Sequence, residues 1–270
     1  IAILSQPKNK TVSVGDVAEI TVTTCVPDLV SSYQWQSRKD SSSAWSNSGQ
    51  PGAKTATLKV TTSAGLHGWQ FRCVVKDKNG HQATSEPMTL TVVPKNTTQP
   101  KNAKVPVGDI AEFTVAAAGK ASLSYQWQSR KDSSSAWSNS GQQGAKTATL
   151  KVKTSAGLHG WEFRCVVTDG NGKQKASNAA KLSVVPKFTT NPKSVYAAAG
   201  STAKFTVAAT GKASLSYQWQ SRKDASSAWT NSGQQGAKTA TLSVAATNGL
   251  NGWQFRCVVT DGNGMSWGSG

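Results

Sequence analysis

The nonapeptide Ser32-Tyr33-Gln34-Trp35-Gln36-Ser37-Arg38-Lys39-Asp40 occurs three times in this 270-residue chain. It returns at 124–132 and 216–224, so Tyr33, Tyr125 and Tyr217 stand 92 residues apart. Each copy's Trp is followed 38 residues later by the Cys of a Phe-Arg-Cys-Val-Val run: Trp35 to Cys73, Trp127 to Cys165, Trp219 to Cys257. Such a period exceeds the ~20–50 residues of a solenoid unit and matches one small domain. The chain therefore divides into 1–94, 95–186 and 187–270, a string of beads rather than one large core. A bead this small leaves much of its surface wet. The ten Trp, distributed over the repeats, supply dense packing in compensation.

Helix signals are missing throughout. Apolar and polar residues alternate with period two over short runs bounded by Gly, Asn, Asp and Pro, which is the strand pattern. In the second repeat Ala111, Phe113, Val115 and Ala117 are predicted to face inward, with Glu112, Thr114 and Ala116 outward and Gly119 ending the strand. Tyr125-Gln126-Trp127-Gln128 is the next strand, and Thr149–Val152 a later one with Leu150 and Val152 inward. The run from Trp161 then puts Trp161, Phe163, Cys165 and Val167 on one face. Asp169-Gly170-Asn171-Gly172 reads as a hairpin turn, because Asn-Gly and Asp-Gly tolerate the positive φ of tight turns. Lys181–Val185 closes the unit. About seven short strands per unit is the arithmetic of a β-sandwich.

These residues carry a resemblance. Tyr-x-Trp on the third strand, Leu-x-Val on the fifth and Gly-Trp-x-Phe-x-Cys-Val-Val-x-Asp on the sixth resemble an immunoglobulin-like domain. More narrowly, the chain is similar to the tandem immunoglobulin-like repeats of large surface proteins in Gram-positive bacteria. The resemblance covers the whole chain and implies an all-β fold of three tandem immunoglobulin-like sandwiches. It implies little about function, because this sandwich hosts many unrelated roles.

The same resemblance places the usual inter-sheet partner of the sixth-strand Cys at Val22, Val115 and Val207, none of which is Cys. Cys165 and Cys257 are thus expected to be small buried hydrophobes against Trp127 and Trp219, as Cys73 would be against Trp35. Cys25 lies three residues past Val22, in a strand end with one extra residue. A bulge there would turn it inward and permit a Cys25–Cys73 disulfide. Cysteine usage leaves the redox compartment open.

Val93-Pro94-Lys95 and Val185-Pro186-Lys187 end one closing strand and lead straight into the next unit. Linkers of almost no length, stiffened by Pro, predict an extended rod. The third repeat ends early: after Asp261-Gly262-Asn263-Gly264 only six residues remain, so most of its last strand is lacking. An open sheet edge is a template for strand addition, and strand exchange with a neighbouring molecule is one expectation. A chain cut mid-domain is the other, and the opening Ile likewise suits a processed product or excised fragment.

The net charge is +17. It divides as +3, +8 and +6 over the three repeats, the last two holding five and two acids. Such a surface favours anionic partners at long range: glycans, a cell-wall polyanion or a host surface protein. A merely solvated surface is the alternative. Nucleic acid is disfavoured, since no interleaved aromatic–basic groove is visible. No run reaches the ~20 apolar residues of a membrane span, so no membrane insertion is expected.

Catalysis finds no support in the sequence. The third repeat has no His, and His67 and His159 are replaced there by Asn251, so the position reads as a polar turn. No nucleophile–base pair, metal cluster or cofactor motif appears in the repeats. The binding candidates are instead Trp45, Trp137 and Trp229, each in a Ser-rich segment after an Arg-Lys pair: Arg38 and Lys39, Arg130 and Lys131, Arg222 and Lys223. Two readings stand for these Trp, a ring for stacking on a sugar and a cap on an edge strand. Trp69, Trp161 and Trp253 are expected in the core.

The expected role is a non-catalytic spacer on the bacterial cell surface, extracellular, with adhesive contacts to anionic or glycan partners. A dedicated recognition module for a host protein or carbohydrate is the alternative, the first repeat being the most divergent. A fibre or decoration domain of a bacteriophage is another.

Overall fold

A computed structural model describes residues 1–270. The second domain shows the plan most fully. In Ile110–Thr114, Ala111 and Phe113 are buried while Ile110, Glu112 and Thr114 are exposed. It pairs antiparallel with Thr149–Lys153, setting Phe113 opposite Leu150 and Ala111 opposite Val152. Lys95–Thr98 pairs with Ala116–Ala118 in a further two-stranded piece. Facing them is a larger sheet in the order Ala103–Pro106, Ala180–Val185, Glu162–Thr168, Ser124–Arg130, Ser138–Asn139, with Gln174–Ala176 also on Glu162–Thr168. Alternate residues of both layers meet in one interior, as the period-two pattern requires. The arrangement is immunoglobulin-like.

Three hydrophobic clusters result, each confined to one third of the chain. The molecule exposes 14308 Å². A single globule of 28.3 kDa would expose roughly 11,200 Å², so separate beads account for the excess.

Trp35, Trp127 and Trp219 are fully buried, each directly opposite Cys73, Cys165 or Cys257 on the neighbouring strand. A buried indole N–H needs an acceptor. It finds one 20 residues on, in Thr55 O, Thr147 O and Thr239 O, at 2.9 Å each time. The loop carrying that carbonyl also accepts the Trp127 amide at Ala145 O, 2.7 Å away. Gly144 makes the loop possible: at φ +78° a side-chain methyl would meet Thr149 O at 2.1 Å. Phe113 stacks on Phe163 and Phe205 on Phe255, with centroids 4.9 and 4.8 Å apart. Trp69, Trp161 and Trp253 are only partly buried rather than in the core, the first two packed against its edge.

All four thiols are free, and no Cys25–Cys73 bond forms. Alternation from Val22 carries through to Thr24, which is buried where the second domain has Ala117, and the extra residue beyond it leaves Cys25 exposed in the following bend. Val22, Val115 and Val207, at the expected partner positions, are buried in the same clusters as Cys73, Cys165 and Cys257. Burial raises the thiol pKa of Cys73 to about 12 and those of Cys165 and Cys257 to about 11, so all three stay protonated and inert.

The histidines of the Gly-Leu-His-Gly turns have a specific task. Val92 N donates to His67 Nδ1 and Val184 N to His159 Nδ1, both at 3.2 Å, pinning the closing strand. Replacing His159 with Ala is expected to destabilise the second domain by about 1 kcal/mol, the net worth of one such bond. Faster hydrogen exchange at the Val184 amide is the readout, and unchanged exchange would remove the assignment.

The third domain departs from the plan on one flank. Ser266–Gly268 pairs with Gln254–Thr260 as Gln174–Ala176 does with Glu162–Thr168, and nothing corresponds to Ala180–Val185. In the second domain that strand runs parallel to Ala103–Pro106. Without it, residues 191–198 form no strand. Val195 and Tyr196 stand exposed, and Phe205 and Phe255 are only partly buried. A cleft of about 650 Å³ opens there, lined by Val195, Tyr196, Ala203, Phe205, Leu250 and Phe255 among others.

Candidate binding face

The outer surface of the larger sheet carries the same construction in every domain. In the first, antiparallel register sets Gln36 opposite Arg72 and Arg38 opposite Gln70. Arg72 Nε donates to Gln36 Oε1 at 2.9 Å, and Arg38 Nε to Gln70 Oε1 at 2.7 Å. Gln36 Nε2 in turn donates to Asn47 Oδ1 at 3.3 Å. These cross-strand pairs fix both guanidinium planes. Trp45 arrives on the polar segment beyond Asp40, and both guanidinium carbons lie over its ring, 4.4 Å from the centroid. Trp137 is held likewise by Arg130 and Arg164, at 4.4 and 4.5 Å, and Trp229 by Arg222 and Arg256, at the same two distances.

A turn chemistry shared by the copies delivers each Trp. Asp40 Oδ1 accepts from the amides and hydroxyls of Ser42 and Ser43, at 2.6–3.0 Å. Bonds from the Ser42 and Ser43 hydroxyls hold its carboxyl below the usual range, and Asp132 and Asp224 are lowered by their own Ser pairs. The segment is thus an Asx-type turn, and its half-buried Trp lies against the sheet by way of the arginines.

Of the sequence candidates, Trp45, Trp137, Trp229, Arg38, Arg130 and Arg222 come together on this face, while Lys39, Lys131 and Lys223 are exposed beside it. The rings offered for sugar stacking are already engaged by two cations of their own domain. Sequence reasoning missed Arg72, Arg164 and Arg256. Their signal was present: each stands one residue before the buried Cys, on the outward parity of the strand, in all three repeats.

The copies differ at one point. Gln70 and Gln254 accept from Arg38 and Arg222, but the second domain has Glu162, whose Oε2 lies 2.6 Å from both Arg130 Nε and Arg130 Nη2. Arg130 Nη1 also donates to Ser133 O at 3.3 Å, so every nitrogen of that guanidinium has an acceptor. Burial, then repulsion from Arg130, pulls the Arg164 pKa below its usual value. In the third domain a second cleft, of about 640 Å³, is lined by Arg222, Trp229 and Arg256 together with Lys193 and Tyr196.

The Asp-Gly-Asn-Gly turns serve the joints. Asp169 Oδ1 accepts from the amides of Asn171 and Lys173, each at 3.0 Å, which shapes the hairpin. Asn171 Nδ2 then reaches Ala64 O of the preceding domain at 3.5 Å, and Asn263 Nδ2 reaches Ala156 O at 3.4 Å. Lys95 pairs with Asp16 at 2.5 Å, and Lys187 pairs with Asp109. Pro94 and Pro186 are buried between domains. A methyl on Gly119 would stand 3.2 Å from Asp169 Cβ and Leu123 Cδ2 and 3.3 Å from Pro94 Cβ, so a side chain there would crowd the joint.

No family model matches the chain. Endoglucanase C of Cellulomonas fimi is 32% identical over 192 residues, or 68% of this chain and 16% of that protein. The chain therefore spans about a sixth of that relative's length. Among solved structures, extracellular domains 3-5 of Drosophila OTK align over 98% of this chain and 95% of theirs, at 16% identity and a TM-score of 0.40. The tandem Ig repeats of Dlar align over 68% of this chain and 96% of theirs, at 21% identity and a TM-score of 0.29. No helix is long and apolar enough to cross a membrane.

Proposed function

We propose that this chain is a non-catalytic spacer segment of an extracellular bacterial surface protein, three semi-rigid beads that also carry weak contacts for anionic partners. The observation behind it is the recurrence of one joint: Lys95 with Asp16 and Asn171 with Ala64 O, then Lys187 with Asp109 and Asn263 with Ala156 O. Each contact is small. A half-exposed ion pair contributes ~0–1 kcal/mol, and an amide bond at 3.5 Å is at the limit of the geometry. Set around a linker whose one residue is a buried Pro, they need only bias an orientation that the chain already restricts. Residues that elsewhere perform chemistry are committed to scaffolding here: His67 and His159 to the closing strands, Asp77 and Asp169 to hairpin turns.

Small-angle scattering tests the reading. The radius of gyration is expected well above the roughly 18 Å of one globule of this length. Changing Asp16 and Asp109 to Asn and Asn171 and Asn263 to Ala together should broaden inter-domain distances measured between spin labels. A compact particle, or distances indifferent to the four changes, overturns it.

A further inference from the structure

We infer that the Arg–Trp–Arg faces of the first and third domains bind the carboxylate or sulfate groups of a linear acidic polysaccharide, and that Glu162 disables the equivalent face of the second. The inference rests on the spacer reading for its setting and names the site of its anionic contacts.

In the first domain Arg38 and Arg72 each spend Nε on a glutamine and leave both terminal nitrogens without a protein acceptor. In the third, Arg222 Nη2 and both terminal nitrogens of Arg256 are similarly free. Two planar cations with fixed orientation, packed on one indole, form a fork suited to an oxyanion. Glutamines hold them, and no carboxylate forms an ion pair with them. The second domain has the same arginines and the same Trp, yet its Arg130 is saturated by Glu162 and Ser133.

Gross charge would give the opposite order. The second repeat is the most basic of the three, at +8, and would lead if bulk attraction decided binding. The site geometry ranks it last. A polysaccharide suits the arrangement better than a nucleic acid because each face holds a single Trp, whereas strands of bases are bound on successive aromatic platforms. Two sites on one chain, flanking a silent one, engage a repeating polymer by avidity.

The test uses the full chain and heparin oligosaccharides in isothermal titration. Native protein is expected to bind at two sites. Glu162→Gln should add a third, since glutamine already holds the equivalent arginine in both sibling domains, and raise overall affinity about threefold to tenfold. Glu112→Gln makes the same charge change on the other layer of that domain and should leave stoichiometry at two. Arg38→Lys with Arg222→Lys keeps the charge but loses the fork, and should weaken binding about tenfold or more. Circular dichroism checks that each variant folds. Equal gains from Glu162→Gln and Glu112→Gln, or no loss with the lysines, overturn the inference in favour of diffuse attraction. Equal or tighter binding of an oligonucleotide of matched charge also overturns it. Absence of heparin binding with an unchanged radius of gyration refutes this site and leaves the spacer reading standing.

Discussion

Trp127→Ala is expected to unfold the second domain near room temperature while its neighbours keep their own transitions. Truncating a fully buried Trp costs ~3–5 kcal/mol through lost burial and an unfilled cavity. A domain of this size holds only ~5–15 kcal/mol in total. Two further losses sit on the same residue. The indole N–H bond to Thr147 O disappears, and the loop carrying Thr147 and Gly144 loses the ring it is folded over. Trp127→Phe separates these terms, since it keeps most of the apolar volume and removes the donor. It should cost roughly half as much. Calorimetry on the full chain distinguishes one lost transition from three. If all three domains melted together, the cores would be coupled and the bead description wrong.

The third domain holds the smallest core. Its fully packed set is seven residues against twelve in each of the others, and two stacked phenylalanines are left partly open to water. It should melt first, in a separate low transition of the 270-residue chain. A synthetic peptide with the sequence of residues 178–186 carries Ala180, Leu182 and Val184, which fill the same flank of the second domain. Added at ten times its Kd it contributes about 1.4 kcal/mol, raising that midpoint by roughly 6–11 °C. The upper transitions should not move. A peptide with Leu182→Asp is the control, and equal shifts from both would mean that no side-chain slot is being filled.

What could be read in the sequence followed from the shortest-range physics. Period-two alternation fixed which face of each strand was buried, so Trp127, Cys165, Leu150 and Val152 were placeable without coordinates. The early end of the third repeat likewise pointed to its open flank. Features that depend on register were less accessible. Arg72 meets Trp45 only because Gln36 lies opposite it and Arg38 opposite Gln70. Cys25 failed as a disulfide partner because no bulge interrupts the alternation running from Val22, so Thr24 turns inward and Cys25 does not. His159 looked like a turn residue because its partner, the Val184 amide, is 25 positions away.

The parallel pairing of Ala103–Pro106 with Ala180–Val185, and of Lys10–Ser13 with Leu90–Val93, bears on how the array would carry load. Tension at the two ends of a domain drags these strands in opposite directions, so their hydrogen bonds resist together rather than unzipping singly. With no covalent bridge between the layers, a domain that gives way can lengthen the tether by up to about 300 Å. One bead giving way would absorb a sudden pull and leave its neighbours intact.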